Sequence, residues 1–243
     1  MSEACQVCGV EGAPPLVVQR DWLWRRCLSC GFAWLSPMPS HAEAAEVQDA
    51  AVGAAYIAGY LGKLDSKMRR SRRRIARLAR RMPGRRLLDI GSNIGCLVGA
   101  AAERGLEATG VEINPLLVEE ARRRYPAGRF LEGAFEEVDL PPRGFDGVYC
   151  SEVIEHVVDV NRFLAHMAGI MSQGAALYMT TPALREYLGR DDPAHWRDFG
   201  APDHKLYFSP DNIRRLLARH GFGDVRILFS FGRGIKLFAR RTA

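Results

Sequence analysis

The sequence predicts an α/β protein with a mostly parallel sheet, helices on both of its faces and a small cysteine-rich module at the N-terminus. Strand patterns alternate with amphipathic helix patterns from Arg85 onward, which is typical of a parallel sheet covered on both faces. Two successive strand patterns follow the last helix pattern and predict an antiparallel strand at the sheet edge. Four cysteines in two C-x2-C pairs precede all of these elements.

The composition is that of a folded chain without a membrane span. The 243 residues suffice for one large domain and a small one, and 47% of them are hydrophobic and 26% charged. No apolar run reaches the roughly 18 residues of a membrane span, and the start "MSEACQVCG" lacks the basic and apolar regions of a secretory signal. We therefore expect a cytoplasmic protein with no membrane partner. The net charge of +6 has its main local surplus in the arginine-rich stretch Met68–Arg81.

The N-terminal cysteines predict a zinc ribbon over residues 1–38. Cys5, Cys8, Cys27 and Cys30 form two pairs, and each pair is followed by a glycine that permits a tight turn. Four thiolates placed on two such turns can surround Zn²⁺ tetrahedrally. Disulfides are the alternative, but they form in oxidising compartments and the sequence shows no export signal. The ribbon's role stays open between packing on the core, covering a substrate pocket and binding a partner.

A helical segment is predicted over residues 39–84. Its first part is rich in alanine. In its second part, apolar residues recur at helical spacing within the arginine run, at Ile75, Leu78, Ala79 and Met82. The arginines of this helix form either a solvated face or a surface for the phosphate groups of RNA.

The predicted sheet lies within residues 85–243. Its strand patterns are, in order, 85–91, 107–113, 128–133, 145–150, 175–181, 224–232 and 234–241. Helix patterns lie between them at 96–105, 115–125, 160–172 and 209–222. Pro115 and Ser209 stand at helix starts, where a first-turn proline and a capping hydroxyl are favoured. The irregular stretch 183–208 mixes aromatic and charged residues as a substrate lid does.

A glycine-bearing turn after the first strand of this region predicts a nucleotide-binding site. In "LLDIGSNIGCL", Asp89 ends the strand, and Gly91 and Gly95 let the backbone approach a ligand closely. The pattern is not the G-x-G-x-x-G of dinucleotide-binding enzymes. Glu112 ends the next strand, where a carboxylate can accept both hydroxyls of a ribose.

Residues 85–241 resemble the class I S-adenosylmethionine-dependent methyltransferases. The resemblance is carried by D-x-G-x-x-x-G at Asp89–Gly95, by Glu112, by "FDGVYCSEVIEHV" and by "DHKLYFSPDNIRRLLARHGF". It implies a Rossmann-like sheet of seven strands with an antiparallel last strand, and S-adenosylmethionine as the cofactor. The cofactor-binding residues that it implies are Asp89, Gly91, Ser92, Asn93, Gly95, Glu112, Ile113, Phe135, Cys150 and Ser151. Many relatives have an aspartate where this chain has Ala134, and a glycine is frequent where it has Asn93.

The stretch "SEVIEHVVD" follows the fourth strand, a place that faces the transferred methyl group in the resembled family. On a helix, Glu152, Glu155 and His156 would share one face. The zinc-protease pattern H-E-x-x-H is absent. The stretch also resembles the metal-binding segment of small-RNA 3′-terminal 2′-O-methyltransferases, and ubiquinone-pathway O-methyltransferases have a similar segment. The first resemblance implies a second metal site, for Mg²⁺ or Mn²⁺, formed by Glu152, Glu155, His156 and His204.

Three roles stay open for His156. It removes the proton of the methyl acceptor, ligates a metal together with His204, or only shapes the pocket. His195 and His204 are further candidates for the base because both lie in the predicted lid. The catalytic residues predicted by the resemblance and the residue chemistry are His156, His204 and Glu152.

These features predict an S-adenosylmethionine-dependent O-methyltransferase that acts on a small hydroxylated substrate, such as a sugar or a natural-product intermediate. An RNA methyltransferase is one alternative, because a zinc ribbon and an arginine-rich helix would suit RNA. A non-catalytic scaffold protein that binds S-adenosylmethionine is another, since a fold does not determine function. The sequence does not indicate an oligomeric state.

Overall fold

The computed structural model describes residues 4–19, 21–184, 200–229 and 234–242. The strands in these ranges form one sheet of seven strands and one of four. In chain order the strands are β1 (Pro15–Gln19), β2 (Trp22–Arg26), β3 (Ala33–Ser36), β4 (Arg86–Ile90), β5 (Glu107–Glu112), β6 (Arg129–Glu132), β7 (Phe145–Ser151), β8 (Met171–Thr181), β9 (Leu206–Tyr207), β10 (Phe222–Ile227) and β11 (Ile235–Arg241). The helices are α1 (His41–Ala51), α2 (Ala54–Leu61), α3 (Leu64–Ala79), α4 (Cys96–Ala102), α5 (Pro115–Arg124), α6 (Val160–Ile170) and α7 (Pro210–Arg219).

The seven-stranded sheet has the order β10–β11–β8–β7–β4–β5–β6. The five strands from β8 to β6 are parallel to one another, and β11 is antiparallel to both of its neighbours. The predicted fold class is therefore confirmed. The terminal strand pair forms one edge of the sheet, with β10 outermost and the reversed strand β11 next to it.

The two faces of this sheet are covered by different helices. Along β4, Leu88 and Ile90 belong to an apolar cluster that includes residues of α6, α7 and the N-terminal module. Leu87 belongs to a second cluster with residues of α3, α4 and α5. This division follows from the alternation of side chains along a strand, with parallel strands buried on both faces.

Helix caps stand where the sequence predicts helix starts. The Ser209 hydroxyl accepts from the backbone N–H of Asn212, and the Asn212 side chain accepts in return from the Ser209 N–H. Asn114 caps α5 by accepting from two backbone N–H groups, with Pro115 in the first turn. Asp159 caps α6 in the same way, so each of these three helices begins where a free backbone N–H group finds a side-chain oxygen.

The start of β8 differs from the sequence prediction. The pattern predicts a helix through Ser172 and a strand from Ala175, whereas α6 ends at Ile170 and β8 begins at Met171. Met171 pairs with Phe145, and the register then shifts before Ala176 pairs with Gly147. The periodicity of apolar residues does not reveal this irregular pairing, because the extra residues between Met171 and Ala176 fit neither the helical nor the strand repeat.

The four-stranded sheet joins the N-terminal module to a distant part of the chain. Its order is β1–β2–β3–β9, and β9 contributes Leu206 and Tyr207 opposite Trp34 and Ala33. Trp24 is fully buried and its ring lies 5.2 Å from that of Tyr207. The predicted lid region therefore contains a strand that completes the sheet of the N-terminal module.

No helix in the described part of the chain is both long enough and apolar enough to cross a membrane.

Candidate active site

A cavity of about 1060 Å³ opens at the carboxyl ends of β4, β5 and β7. In open parallel sheets ligands bind in the crevice outside these strand ends, because the turns there present backbone N–H groups and polar side chains. The cavity is closed on another side by α1, α2 and α3. This placement brings the glycine-bearing turn, the end of β5 and the stretch after β7 to one site.

The turn after β4 lines the cavity and packs closely against the segment that follows β7. Gly91 has a φ of 71°, and a Cβ at this position would lie 2.5 Å from Cγ2 of Val153. The buried Oγ of Ser92 has no hydrogen-bond partner among the described residues. An orphaned hydroxyl beside a cavity is costly unless a ligand or water satisfies it.

Glu112 is held at the end of β5 by two backbone donors. Its carboxylate accepts from the N–H of Asn93 at 2.8 Å and from that of Asn114 at 3.1 Å. Burial raises the pKa of Glu112, and these N–H groups oppose the rise. Each carboxylate oxygen has a further lone pair available for hydroxyl groups in the cavity.

Asp89 lies next to Glu112 beneath the same turn. Burial holds the pKa of Asp89 well above its ordinary value, the charge of Glu112 adds to this, and the guanidinium of Arg74 opposes it. A buried carboxyl group with a cation nearby is a frequent feature of binding sites.

Most of the predicted cofactor-binding residues meet in this cavity. Those that line it are Asp89, Gly91, Ser92, Asn93, Glu112, Ile113, Phe135 and Ser151. Gly95 and Cys150 are not among its lining residues. Gly95 precedes α4 with a φ of 80°, where a Cβ would lie 2.7 Å from the Phe130 ring. Cys150 is fully buried in the apolar cluster on the other face of the sheet.

His156 lies at the cavity wall and is oriented by Asp203. Its Nδ1 donates to the Asp203 carboxylate at 2.9 Å. Burial favours the neutral ring, but this hydrogen bond and the charge of Glu155 outweigh it and raise the pKa of His156. With the proton held on Nδ1, the lone pair of Nε2 is the one that can accept a proton.

Three of the four residues predicted for a second metal site come together, and Glu152 does not. Ligand-type atoms of Glu155, His156 and His204 lie within 4.8 Å of one another. The residues around them form a short 3₁₀ turn, and Glu152 has a φ of 57°. The expectation of one shared helix face is therefore wrong, because a left-handed residue precedes the turn. Glu152 accepts instead from Oγ1 of Thr180 at 2.6 Å.

The interior of this group is poor in hydrogen bonds. Oε2 of Glu155 accepts from Oγ1 of Thr181 at 2.9 Å, whereas its buried Oε1 has no hydrogen-bond partner among the described residues and lies 4.0 Å from Nε2 of His156. Burial raises the pKa of Glu155 to about 8, and the charge of His156 opposes the rise. Burial and the same charge lower the pKa of His204 to about 4. The third predicted base, His195, lies outside the described residues.

The sequence reasoning missed several residues of the site. Asp203 orients His156, and Lys205 is fully buried beside it, where burial lowers the pKa of its ammonium to about 8. Lys67, Ser71 and Arg74 of α3 also line the cavity. Their i, i+4, i+7 spacing was a readable signal, but it was hidden within the arginine run.

The arginines of α3 therefore have different environments. Arg72 forms a two-pronged ion pair with Glu103 at the surface. Arg74 turns inward to the cavity, where it donates to the hydroxyl of Tyr149 and, at 3.4 Å, to that of Ser151. The helix is thus neither a uniform solvated face nor a uniform cationic surface.

The four N-terminal cysteines form a compact cluster. Sγ of Cys5 lies 3.6 Å from that of Cys30, and Sγ of Cys8 lies 3.5 Å from that of Cys27. All four are free thiols, and their sulfur atoms lie within 4.8 Å of one another. Tetrahedral Zn–S bonds place sulfur atoms about 3.8 Å apart, so the arrangement has the right size for that ion.

The thiols of this cluster differ in acidity. Burial raises the pKa of Cys5 to about 11. Burial acts upward on Cys8 as well, but the Val10 N–H and the Cys27 thiol lower its pKa to about 7. A thiol of low pKa supplies the first thiolate to an arriving metal at neutral pH.

Gln6, inside the first cysteine pair, ties the module to the segment that follows His156. Its Nε2 donates to the carbonyl of Val158 at 3.0 Å, and its Oε1 accepts from the N–H of Val160 at 2.9 Å. The module therefore contacts the active-site wall at both β9 and the start of α6.

We expect Gln6→Ala to lower the free energy of unfolding by about 1–3 kcal/mol, because two backbone groups lose their partner. Equilibrium unfolding in urea measures the change. Gln173→Ala, at an exposed position of β8, is the matched control and should change it by less than about 0.5 kcal/mol. Equal losses of unfolding free energy in the two variants would contradict a stabilising role of the Gln6 hydrogen bonds.

The seven-stranded sheet and the cavity at its carboxyl edge define a Rossmann-like methyltransferase fold. A solved S-adenosylmethionine-dependent methyltransferase from Archaeoglobus fulgidus has the same fold, with a TM-score of 0.58 at 18% identity over 77% of this chain and 100% of that one. The chain belongs to the family described as the methyltransferase domain, which matches residues 60–227.

Curated relatives resemble part of the chain. A ubiquinone biosynthesis O-methyltransferase of Idiomarina loihiensis is 27% identical over an alignment of 155 positions, which covers 59% of this chain and 64% of that protein. A probable S-adenosylmethionine-dependent methyltransferase of Mycobacterium tuberculosis is 29% identical over 150 residues, 61% of this chain and 53% of that protein. The chain thus spans between about half and two thirds of the length of these relatives.

Proposed function

We propose that this chain transfers a methyl group from S-adenosylmethionine to an oxygen atom of a small hydroxylated molecule. One observation carries the proposal: a single cavity joins the nucleotide-type residues Ser92 and Glu112 to His156, a histidine oriented by a carboxylate. The likeness to a protein named as an O-methyltransferase supports oxygen as the acceptor atom. The cavity volume accommodates a nucleoside and a second small molecule together.

The residues present fit the proposed cofactor. Glu112 offers carboxylate oxygens for ribose hydroxyls, and the orphaned Oγ of Ser92 offers a partner for a polar group. Phe135 provides an apolar wall, packed edge-on against Phe163 with ring centroids 5.2 Å apart. Bound S-adenosylmethionine would supply an electrophilic methyl group on its sulfonium.

We expect Glu112→Gln to weaken the binding of S-adenosylhomocysteine about 10- to 100-fold, because hydrogen bonds to a charged acceptor contribute about 1.5–3 kcal/mol. Isothermal titration calorimetry measures the affinity. Glu132→Gln is the matched control, since Glu132 pairs with Glu112 in the neighbouring strand and does not line the cavity. Unchanged affinity in Glu112→Gln would contradict the assigned ribose contact.

The proposed reaction needs alignment and one proton acceptor. The acceptor oxygen would take the methyl group as the carbon–sulfur bond of the cofactor breaks, and His156 would take the hydroxyl proton at Nε2. Asp203 holds the Nδ1 proton and stabilises the ring in its charged form. Glu152 lines the same part of the cavity and is placed to bind a hydroxyl of the acceptor.

We further propose that the cysteine cluster holds a structural Zn²⁺, since four thiolates of this spacing complete a tetrahedral site with no open position. The donor set near His156 differs from the Mg²⁺ or Mn²⁺ site that the resemblance implied. Glu155, His156 and His204 offer two imidazoles and one carboxylate, and hard cations prefer oxygen ligands. We therefore favour proton transfer over Mg²⁺ or Mn²⁺ binding as the role of His156.

Transfer of radiolabelled methyl groups tests the function. The protein is incubated with labelled S-adenosylmethionine and either a set of free catechols, sugars and polyhydroxylated metabolites or total RNA. We expect label in small molecules and none in RNA. Label in RNA alone would contradict the proposal, and tight cofactor binding without turnover on any extract would support a scaffold protein instead.

A further inference from the structure

The wall that α3 and β11 contribute to the cavity carries four cations. Lys67, Arg70 and Arg74 lie on one stripe of α3, and Lys236 lies in β11. Among the described residues, no carboxylate oxygen lies within 4.0 Å, the limit for a salt bridge, of a side-chain nitrogen of these four residues. By contrast, Arg72 on the outer side of the same helix is fully paired.

Arg74 is held in place while part of its guanidinium stays available. It donates to the hydroxyls of Tyr149 and Ser151 at the end of β7, and it lies 5.8 Å from the centroid of the Tyr149 ring. The Tyr149 and Tyr178 rings are stacked beneath it, with centroids 5.3 Å apart. A guanidinium has five N–H donors, so donors remain for an anion in the cavity.

Lys236 stands on the same face of the sheet as the groups that hold Arg74. It pairs with Thr180, and Thr180 pairs with Ser151, so the three side chains form one row across β11, β8 and β7. Neighbouring strands lie about 4.8 Å apart, which places the Cα atoms of Lys236 and Ser151 roughly 10 Å from each other. The two cationic side chains can therefore reach one ligand group at these strand ends, beside the Glu152 carboxylate that accepts from Thr180.

The other cations of the wall are less suited to this position. Nζ of Lys67 lies 4.0 Å from the centroid of the Tyr60 ring, so it is already engaged. Arg70 is exposed to solvent. Arg74 and Lys236 are the two that flank the row of hydroxyls at the strand ends.

The cofactor alone does not require this cationic wall, because the cavity also contains acidic residues that suit its positive groups. The carboxyl groups that line the cavity are Asp89, Glu112, Glu136, Glu137, Glu152 and Asp203. A cofactor with a sulfonium, an ammonium and one carboxylate suits an acidic surface and requires at most one cation. The remaining cationic wall indicates a second ligand with negative charge.

We infer that Arg74 and Lys236 form an anion subsite, so that the methyl acceptor carries a carboxylate or phosphate group in addition to its hydroxyl. The inference rests on the proposed methyl transfer, because it assigns this wall to the acceptor. The remaining N–H donors of the Arg74 guanidinium and the ammonium of Lys236 would bind the oxygens of the anion.

Binding of simple anions to the protein saturated with S-adenosylhomocysteine tests the subsite. Inorganic phosphate and acetate serve as the probes, each followed by nuclear magnetic resonance titration of the full chain, and the preferred probe distinguishes the two anion types. We expect Arg74→Gln and Lys236→Gln each to weaken the preferred probe about 10-fold, with S-adenosylhomocysteine affinity changed less than threefold. Arg73→Gln, at an exposed position outside the cavity, is the control and should bind the probe as the unmodified protein does.

Two results would overturn the subsite. One is that neither probe binds to the unmodified protein, or that the two variants bind each probe as tightly as the unmodified protein does. The other is that Arg74→Gln weakens S-adenosylhomocysteine rather than the probe, which would assign Arg74 to the cofactor. Lys236→Gln gives an independent answer if Arg74→Gln fails to fold. A protein that does not bind S-adenosylhomocysteine contradicts the proposed function, and the same titration without it still tests the subsite.

Discussion

We expect His156→Asn to lower kcat about 10²- to 10⁴-fold, the range that a positioned general base contributes. An asparagine side chain can still donate a hydrogen bond to Asp203. The substitution removes Nε2, the ring nitrogen that would take the proton of the methyl acceptor. Binding of S-adenosylhomocysteine should change less than threefold, because the proposed cofactor contacts lie at the ends of β4 and β5. Single-turnover methyl transfer and calorimetry measure the two quantities.

Two further variants separate the chemical role of His156 from a structural one. Asp203→Asn should lower kcat less than His156→Asn does. It should also move the rise of activity to lower pH, because the Asp203 carboxylate raises the pKa of His156. His220→Asn, at the end of α7 outside the cavity, is the matched control and should leave kcat unchanged. A His156→Asn enzyme with kcat within threefold of the original would show that another group takes the proton.

We expect Cys27→Ser to abolish binding of the proposed zinc ion and to lower the thermal midpoint by more than Gln6→Ala or His156→Asn does. Structural zinc sites contribute folding free energy directly, and the apparent binding free energy of such sites in isolated peptides is about 10–16 kcal/mol. Cys27 is almost fully buried, so a serine there also leaves a hydroxyl without a suitable partner. Plasma mass spectrometry of the purified protein measures the zinc, and calorimetry measures the midpoint.

Cys96→Ser is the control for this change. Cys96 is similarly buried but lies in α4, far from the cluster in sequence, and it contacts Tyr125 rather than other thiols. It should keep one zinc ion per chain and lower the midpoint less. Full zinc content in Cys27→Ser, or an equal loss of zinc in Cys96→Ser, would contradict the four-cysteine site.

Much of the fold could be predicted because its determinants are local. The strand, turn and helix at Asp89–Gly95 each follow from neighbouring residues, and Ser209 and Pro115 mark helix starts by their own chemistry. The cofactor side of the cavity follows as well, since parallel strands end at one edge of the sheet.

The side of the cavity that we propose as catalytic was harder to predict, because its arrangement depends on pairs of residues that are distant in sequence. Nothing near His156 in the sequence indicates that Asp203 orients it, and β9 has only two residues and no periodicity of its own. The prediction that Glu152 shares a helix face with Glu155 is wrong because the left-handed backbone of Glu152 breaks the assumed helix. A non-glycine residue rarely adopts that conformation, so the sequence gives no sign of it. Arg74 was concealed by neighbours of the same type.

The pairing of β3 with β9 has a consequence for synthesis of the protein. About 170 residues separate Ser36 from Leu206, so the ribosome must complete most of the chain before the outer edge of β3 finds its partner. Until then the nascent chain presents the apolar strand Ala33–Ser36 with an open row of backbone donors and acceptors, which is a template for aggregation. Early metal capture by the two cysteine pairs would not cover this edge, so we expect fragments that stop before residue 206 to aggregate even when zinc is supplied.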